Sequence, residues 1–130
     1  VGEDFSPYVE GVAQVVVRDL AGGVGAIAAS IRERFAGRVE PQQSKGYTLD
    51  LVPPGVSKAT GIEAILRATG IGADEVMACG DSDNDLSMLR LAGTSVVTAN
   101  GQEEAKALAT YLALGCDEDG VARAIEELVL

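Results

Sequence analysis

Asp81, Asp83 and Asp85 fall within the run Gly80-Asp81-Ser82-Asp83-Asn84-Asp85. Carboxylates this close repel one another, and are tolerated either in open water or around a cation. Hard oxygen donors of this kind suit Mg2+ or Ca2+. The plain alternative is a solvated acidic loop at the start of a helix, where the helix end favours negative charge. A calcium-binding EF-hand loop matches at its first, third and fifth positions. Its sixth position, a glycine, is here Leu86, and its twelfth, a glutamate, is Ala92, so that reading fails.

Lys58 stands just past Pro53-Pro54-Gly55, at the expected first turn of a helix. A cation there is mildly unfavourable, which hints at a placed charge such as a phosphate clamp. Most lysines merely cover solvated faces, however, and no P-loop precedes this one. Gly23-Val24-Gly25-Ala26-Ile27-Ala28 fits the glycine pattern of dinucleotide-binding turns. That fingerprint needs its first glycine at the end of a strand, and Arg18-Asp19-Leu20-Ala21 intervene, so a glycine-rich helix start is the better reading. Cys79 lies in an expected buried strand with no base near it in sequence, and reads as core rather than nucleophile.

The elements that would position these residues alternate along the chain. Val12 to Val17 reads as a strand, Gly25 to Phe35 as a helix closed by Gly37, and Val39 opens an extended stretch. Tyr47, Leu49 and Leu51 alternate with polar residues, as on a half-buried strand. Pro53-Pro54-Gly55 is a strong breaker and the best boundary between domains. Beyond it, Ser57 caps a helix with Ile62, Ile65 and Leu66 inward and Gly70 at its end. Val76 to Cys79 reads as a buried strand. Asn84 to Ala92 is an expected helix, Ser95 to Thr98 a strand, Gln102 to Leu108 a helix, Tyr111 to Ala113 a strand and Val121 to Leu130 a helix. Strands separated by helices imply parallel strand–helix–strand units and an α/β class. The acidic run then sits at the carboxyl end of a strand, where ligands collect in such sheets.

Composition narrows the function. A length of 130 residues suits one domain, and 47% apolar content is enough to bury a core and argue against disorder. The net charge of −10 argues against a nucleic-acid partner or an anionic membrane surface. The first 65 residues hold 8 acids and 6 bases and the last 65 hold 12 and 4, so the acidic weight lies with the aspartate run. The absence of histidine removes histidine-based triads and histidine-ligated zinc. Cys79 and Cys116 form no Cys-x-x-Cys pair, which favours a reduced, cytoplasmic setting. No stretch is apolar enough to span a membrane, and the acidic start Val1-Gly2-Glu3-Asp4 is unlike a signal peptide. The chain begins at valine, as a trimmed, processed or partial chain would.

Together, Leu49-Asp50-Leu51-Val52-Pro53-Pro54-Gly55-Val56-Ser57-Lys58 and Val76 to Leu89, with its Gly80–Asp85 run, resemble the haloacid-dehalogenase superfamily of Mg2+-dependent phosphatases. The closest resemblance is to its Cof-type branch, which carries an α/β lid. Asn100 stands where that family has Asn-Ala, although Gly101 replaces the alanine, and Asp117 to Ala122 resembles the closing helix start. The resemblance is strong over residues 45–130 and only one of pattern over 1–44. It implies a Rossmannoid parallel-sheet core over residues 55–130, present as its carboxyl-terminal half, with residues 1–54 as part of the lid. It implies that Asp81 binds Mg2+, with Asp85 in the same metal site. Asn84 would contact phosphate or the nucleophile, Lys58 would neutralise both, and Asn100 would join the phosphate contacts. The substrate would be a small phosphorylated metabolite.

One departure matters. The family's nucleophile and general acid belong to an Asp-x-Asp motif near its start, and no counterpart stands in that place here. Asp117-Glu118-Asp119-Gly120-Val121 fits the pattern but lies after the acidic run, in the closing segment. The expectation is therefore a carboxyl-terminal part that is inactive alone. It would depend on a missing amino-terminal segment or self-associate through an exposed sheet edge. The alternative is a non-catalytic Mg2+-binding module or subunit.

Overall fold

The computed structural model describes residues 14–130, and Val12, the expected start of the first strand, lies outside them. Gly55 adopts a left-handed φ of 78° after the two prolines. The chain divides there into two compact units, one ending at Gly55 and the other running from Val56 to Leu130.

The first unit contains β1 (Val15–Arg18), α1 (Val24–Arg34), β2 (Glu40–Lys45) and β3 (Thr48–Val52). Its sheet order is β1-β3-β2 and both pairings are antiparallel. The parallel strand–helix–strand pairing implied by the alternation of strands and helices is found in the second unit, not in this one. A strand–helix–strand crossover does make β1 and β2 run the same way. A tight turn at Gly46-Tyr47 then sends β3 back between them, so each bonded pair is antiparallel. Leu49, Val24 and Ala28 form the buried core, with Val17, Ile27, Ile31 and Leu51 packed around it.

The second unit contains α2 (Lys58–Thr69), β4 (Met77–Gly80), α3 (Leu86–Leu91), β5 (Thr94–Thr98), α4 (Glu103–Lys106), β6 (Tyr111–Ala113) and α5 (Gly120–Leu128). Its sheet is parallel in the order β4-β5-β6. Side chains of β5 alternate between two cores, as strand geometry requires. Val97 joins Ala78, Leu89 and Ala105 on one face, and Val96 joins Ala113 and Ala124 on the other. Ser95 fastens the connection before β6: its hydroxyl donates to Leu108 O at 2.6 Å and accepts from Thr110 N at 3.0 Å.

Local chemistry sets the limits of α2. Ser57 accepts from Thr60 N at 3.2 Å and Thr60 Oγ1 accepts from Ser57 N at 2.9 Å, which satisfies donors that a helix start leaves free. Gly70 closes the helix at a left-handed φ of 75°. Ile65, expected inward, is 61% exposed. In this unit α2 is packed against α3, which covers a stripe narrower than the apolar pattern. No helix among the described residues is long and apolar enough to cross a membrane.

Thr98, at the carboxyl end of β5, is 7% exposed, and its buried hydroxyl has no hydrogen-bond partner among the described residues. An unpaired buried hydroxyl costs about 1–3 kcal/mol. Thr98→Val keeps the shape and removes that cost, so it is expected to raise stability by about 1 kcal/mol in urea unfolding. A loss of stability would show that the hydroxyl is bonded in solution.

Candidate functional site: an acidic turn held by a lysine

The site grows from the carboxyl end of β4. The chain leaves Gly80 through Asp81 and Ser82, tightens into a 3-10 turn over Asp83–Asp85, and continues as α3. The expected single helix from Asn84 to Ala92 is thus a 3-10 turn followed by a helix. The reason is Asp85, whose carboxylate folds back to cap the turn. Its Oδ2 accepts from Asp81 N at 3.0 Å and from Ser82 N at 3.2 Å. Its Oδ1 forms an ion pair with Lys58 Nζ. Asp85 is buried, with 5% of its side chain exposed, whereas Lys58 remains 47% exposed.

The oddity of Lys58 at a helix start is resolved by this partner. The Asp85 carboxylate outweighs the unfavourable helix end, and a contact of 3.4 Å from Ala59 N to Ser87 Oγ ties the start of α2 to α3. Burial, the largest influence on Asp85, pushes its pKa up. The hydrogen bond from Lys58, the Asp81 N–H, the Lys58 charge and the Ser82 N–H push it down and prevail, so Asp85 titrates below its ordinary value.

Asp81 differs from Asp85. It is exposed, and its carboxylate has no partner among the described residues. Its backbone is fixed by the neighbouring strand end, since Gln102 N donates to Asp81 O at 2.8 Å. Asn84 is half-buried, and its Oδ1 accepts from Ser82 Oγ at 2.7 Å. Asn100 is exposed beyond β5, and its Oδ1 accepts from Cys116 N at 3.0 Å. The structure therefore brings Lys58, Asp81, Asn84 and Asp85 together. It joins Asn100 to them through the Gly101-Gln102 turn. Ser82, Ser87 and Gln102 also shape the site, although the spacing of charged residues does not single them out. The one signal for Ser82 is its type: a serine directly before a helix start.

With respect to a cation, both oxygens of Asp85 are engaged by protein donors, which leaves Asp81 and Asp83, both exposed, as the carboxylates of the run without a partner among the described residues, Asp81 being the one nearer the end of β4. Among the described residues no group of three or more histidine, cysteine, aspartate or glutamate side chains could hold a metal. One carboxylate still fits Mg2+, which is commonly held by one or two carboxylates with water and phosphate oxygens as its other ligands.

Elsewhere the geometry closes two rival readings. Asp19 accepts from Ala21 N at 2.9 Å and from Gly23 N at 3.0 Å, so a protein carboxylate fills the turn before α1 where a pyrophosphate would have to bind. Cys79 is half-buried, and burial raises its pKa, as suits a core thiol.

The backbone at Gly80 passes close against Asp85. A Cβ at Gly80 would lie 2.6 Å from Asp85 Cβ and 2.8 Å from its Cγ. Gly80→Ala is expected to displace Asp85 from Lys58 and to cost about 1–3 kcal/mol by thermal or urea unfolding. Stability within 0.5 kcal/mol of wild type, roughly the range of neutral surface changes, would show that Asp85 is not held there.

The second unit thus combines a parallel sheet with an acidic turn at a strand end, held by a lysine from the adjacent helix. The family model of haloacid dehalogenase-like hydrolases matches residues 2–125. The chain belongs to that family.

A crystal structure of a haloacid dehalogenase-like hydrolase from Bacteroides thetaiotaomicron is 38% identical with a TM-score of 0.84, over 98% of this chain and 48% of that one. A phosphoglycolate phosphatase of Methanothermobacter thermautotrophicus is 36% identical over 84 residues, which is 65% of this chain and 38% of that protein. A chloroplastic endoribonuclease YBEY of Arabidopsis thaliana is 37% identical over 115 residues, covering 88% of this chain but 20% of that protein. The chain thus spans half or less of the length of these relatives.

Proposed function

We propose that this chain is the carboxyl-terminal part of a Mg2+-dependent phosphomonoesterase of the Cof-type branch, acting on a small phosphorylated metabolite. In this reading residues 1–54 contribute to the lid and 55–130 to the catalytic core. An aspartate from a segment outside this sequence attacks phosphorus and expels the substrate alkoxide. Water then hydrolyses the aspartyl-phosphate. Lys58 stabilises negative charge on the phosphoryl group, and Asn84 and Asn100 donate amide hydrogens to its oxygens. Asp81 is the residue to hold Mg2+, which would supply charge neutralisation at the phosphate oxygens. Asp85 contributes by fixing Lys58 and the Asp81 backbone.

The observation that carries this reading is the Lys58–Asp85 pair beside the free Asp81 carboxylate, at the ends of parallel strands. The test is turnover of para-nitrophenyl phosphate by this chain joined to its amino-terminal complement, with and without Mg2+. Mg2+-dependent turnover lost in Asp81→Asn supports the assignment. A folded, joined protein with no turnover would leave a non-catalytic cation-binding module instead.

A further inference from the structure

Ser82 lies between the free Asp81 and the 3-10 turn, with extended backbone at φ −146° and ψ 174°. Its hydroxyl is 2.7 Å from Asn84 Oδ1 and 3.3 Å from Asp85 Oδ2. One hydroxyl carries one proton and can donate to only one of them. Asp85 has its own donors: Lys58 at Oδ1 and two backbone N–H groups at Oδ2. Asn84 Oδ1 has none besides Ser82 among the described residues, and the shorter contact is the one to Asn84.

The consequence concerns which way the Asn84 amide faces. An amide is an acceptor at one end and a double donor at the other, and only its partners decide the orientation. Turned over, the amide would instead donate its nitrogen to the Ser82 oxygen, and the hydroxyl proton would go to Asp85 Oδ2. The Ser82 proton opposes this by holding the oxygen. The two N–H donors are then kept from pairing within the turn.

We infer that Ser82 is a positioning residue: its hydroxyl fixes the Asn84 amide so that its N–H donors stay available to a phosphate oxygen. The use of those donors rests on the phosphatase reading above. The orientation itself does not.

The test is NMR of the full chain, labelled with 13C and 15N, observing the Asn84 side-chain carbonyl and amide. Ser82→Thr keeps the hydroxyl and is expected to leave the Asn84 Cγ position in place. Ser82→Ala is expected to move Cγ upfield, as a carbonyl that loses its donor does. An unchanged Cγ in Ser82→Ala, or Ser82→Thr behaving like Ser82→Ala, overturns the assignment. If Ser82→Ala does not fold, Ser82→Cys, with a weak S–H donor, takes its place with the same expected direction.

A double-mutant cycle of Ser82→Ala and Asn84→Ala in urea is expected to show coupling of about fivefold in the folding constant, and additive effects would remove the bond. Neither measurement needs phosphate or a cation. A negative result therefore overturns the role of Ser82 alone, while the phosphatase reading stands or falls on turnover.

Discussion

Lys58→Met is expected to lower turnover of the joined enzyme by about 10²–10³-fold, the range for removing one preorganised charge-stabilising group. In this chain it is expected to cost about 1–3 kcal/mol at pH 7. That is below the usual cost of breaking a buried ion pair, because Lys58 is half-exposed. The penalty has a sign in pH. Asp85 titrates below its ordinary value, so its contribution is fully present above the unfolded carboxylate pKa, about 3.9, and fades as pH falls through the folded value. Without Lys58 the burial effect loses its strongest opponent, and the Asp85 carboxyl rises. The gap between variant and wild type should therefore be widest at neutral pH and narrow in acid, as Asp85 takes up a proton. Urea unfolding at pH 7 and near pH 3 measures this. A gap independent of pH would mean that Lys58 acts through packing, and turnover within twofold of wild type would end its role as a clamp.

The chain purified alone is expected to hydrolyse no para-nitrophenyl phosphate with Mg2+, and not to run as a monomer. In the reading proposed above, Asp81 holds Mg2+, Asp85 holds Lys58, and the attacking aspartate lies outside this sequence. The Asp117 and Asp119 pair does not fill that role. Both are exposed, Asp117 in a 3-10 turn and Asp119 at a left-handed φ of 57° before α5. Association follows from the sheet. Among the described residues β4 pairs with β5 alone, so its other row of N–H and C=O groups has no strand partner there along the residues Met77-Ala78-Cys79-Gly80. Light scattering tests the association and the phosphatase assay the chemistry. Turnover that follows a mass-verified monomer would overturn both expectations and return attention to Asp117 and Asp119.

Much of the second unit is legible in the sequence because its signals are local. Ser57 and Gly70 bracket α2 as capping chemistry says they should. Tyr111–Ala113 is the strand its pattern describes, and β4 is displaced by one residue from Val76–Cys79. The first unit is less legible. Periodicity marks strands but carries no direction, so the insertion of β3 between β1 and β2 cannot be read from it. The acidic run shows the same limit. Three aspartates at alternate positions look alike in sequence, and only the fold makes Asp85 buried and paired while Asp81 stays free. Asn84 and Ser82 are further from reach, since their relation depends on a side-chain rotation that no spacing encodes.

The order of strands in the second unit also bears on how it is made. Neighbours in space are neighbours in sequence there: β4 meets β5, and β5 meets β6, each across one crossover. Parallel pairing across a crossover is slower than closing a hairpin, but this order lets the sheet extend one strand at a time as the polypeptide emerges during synthesis. β5, bonded on both sides, is the natural nucleus. Disturbing it should slow folding, whereas disturbing β6, a late three-residue addition, should mainly speed unfolding.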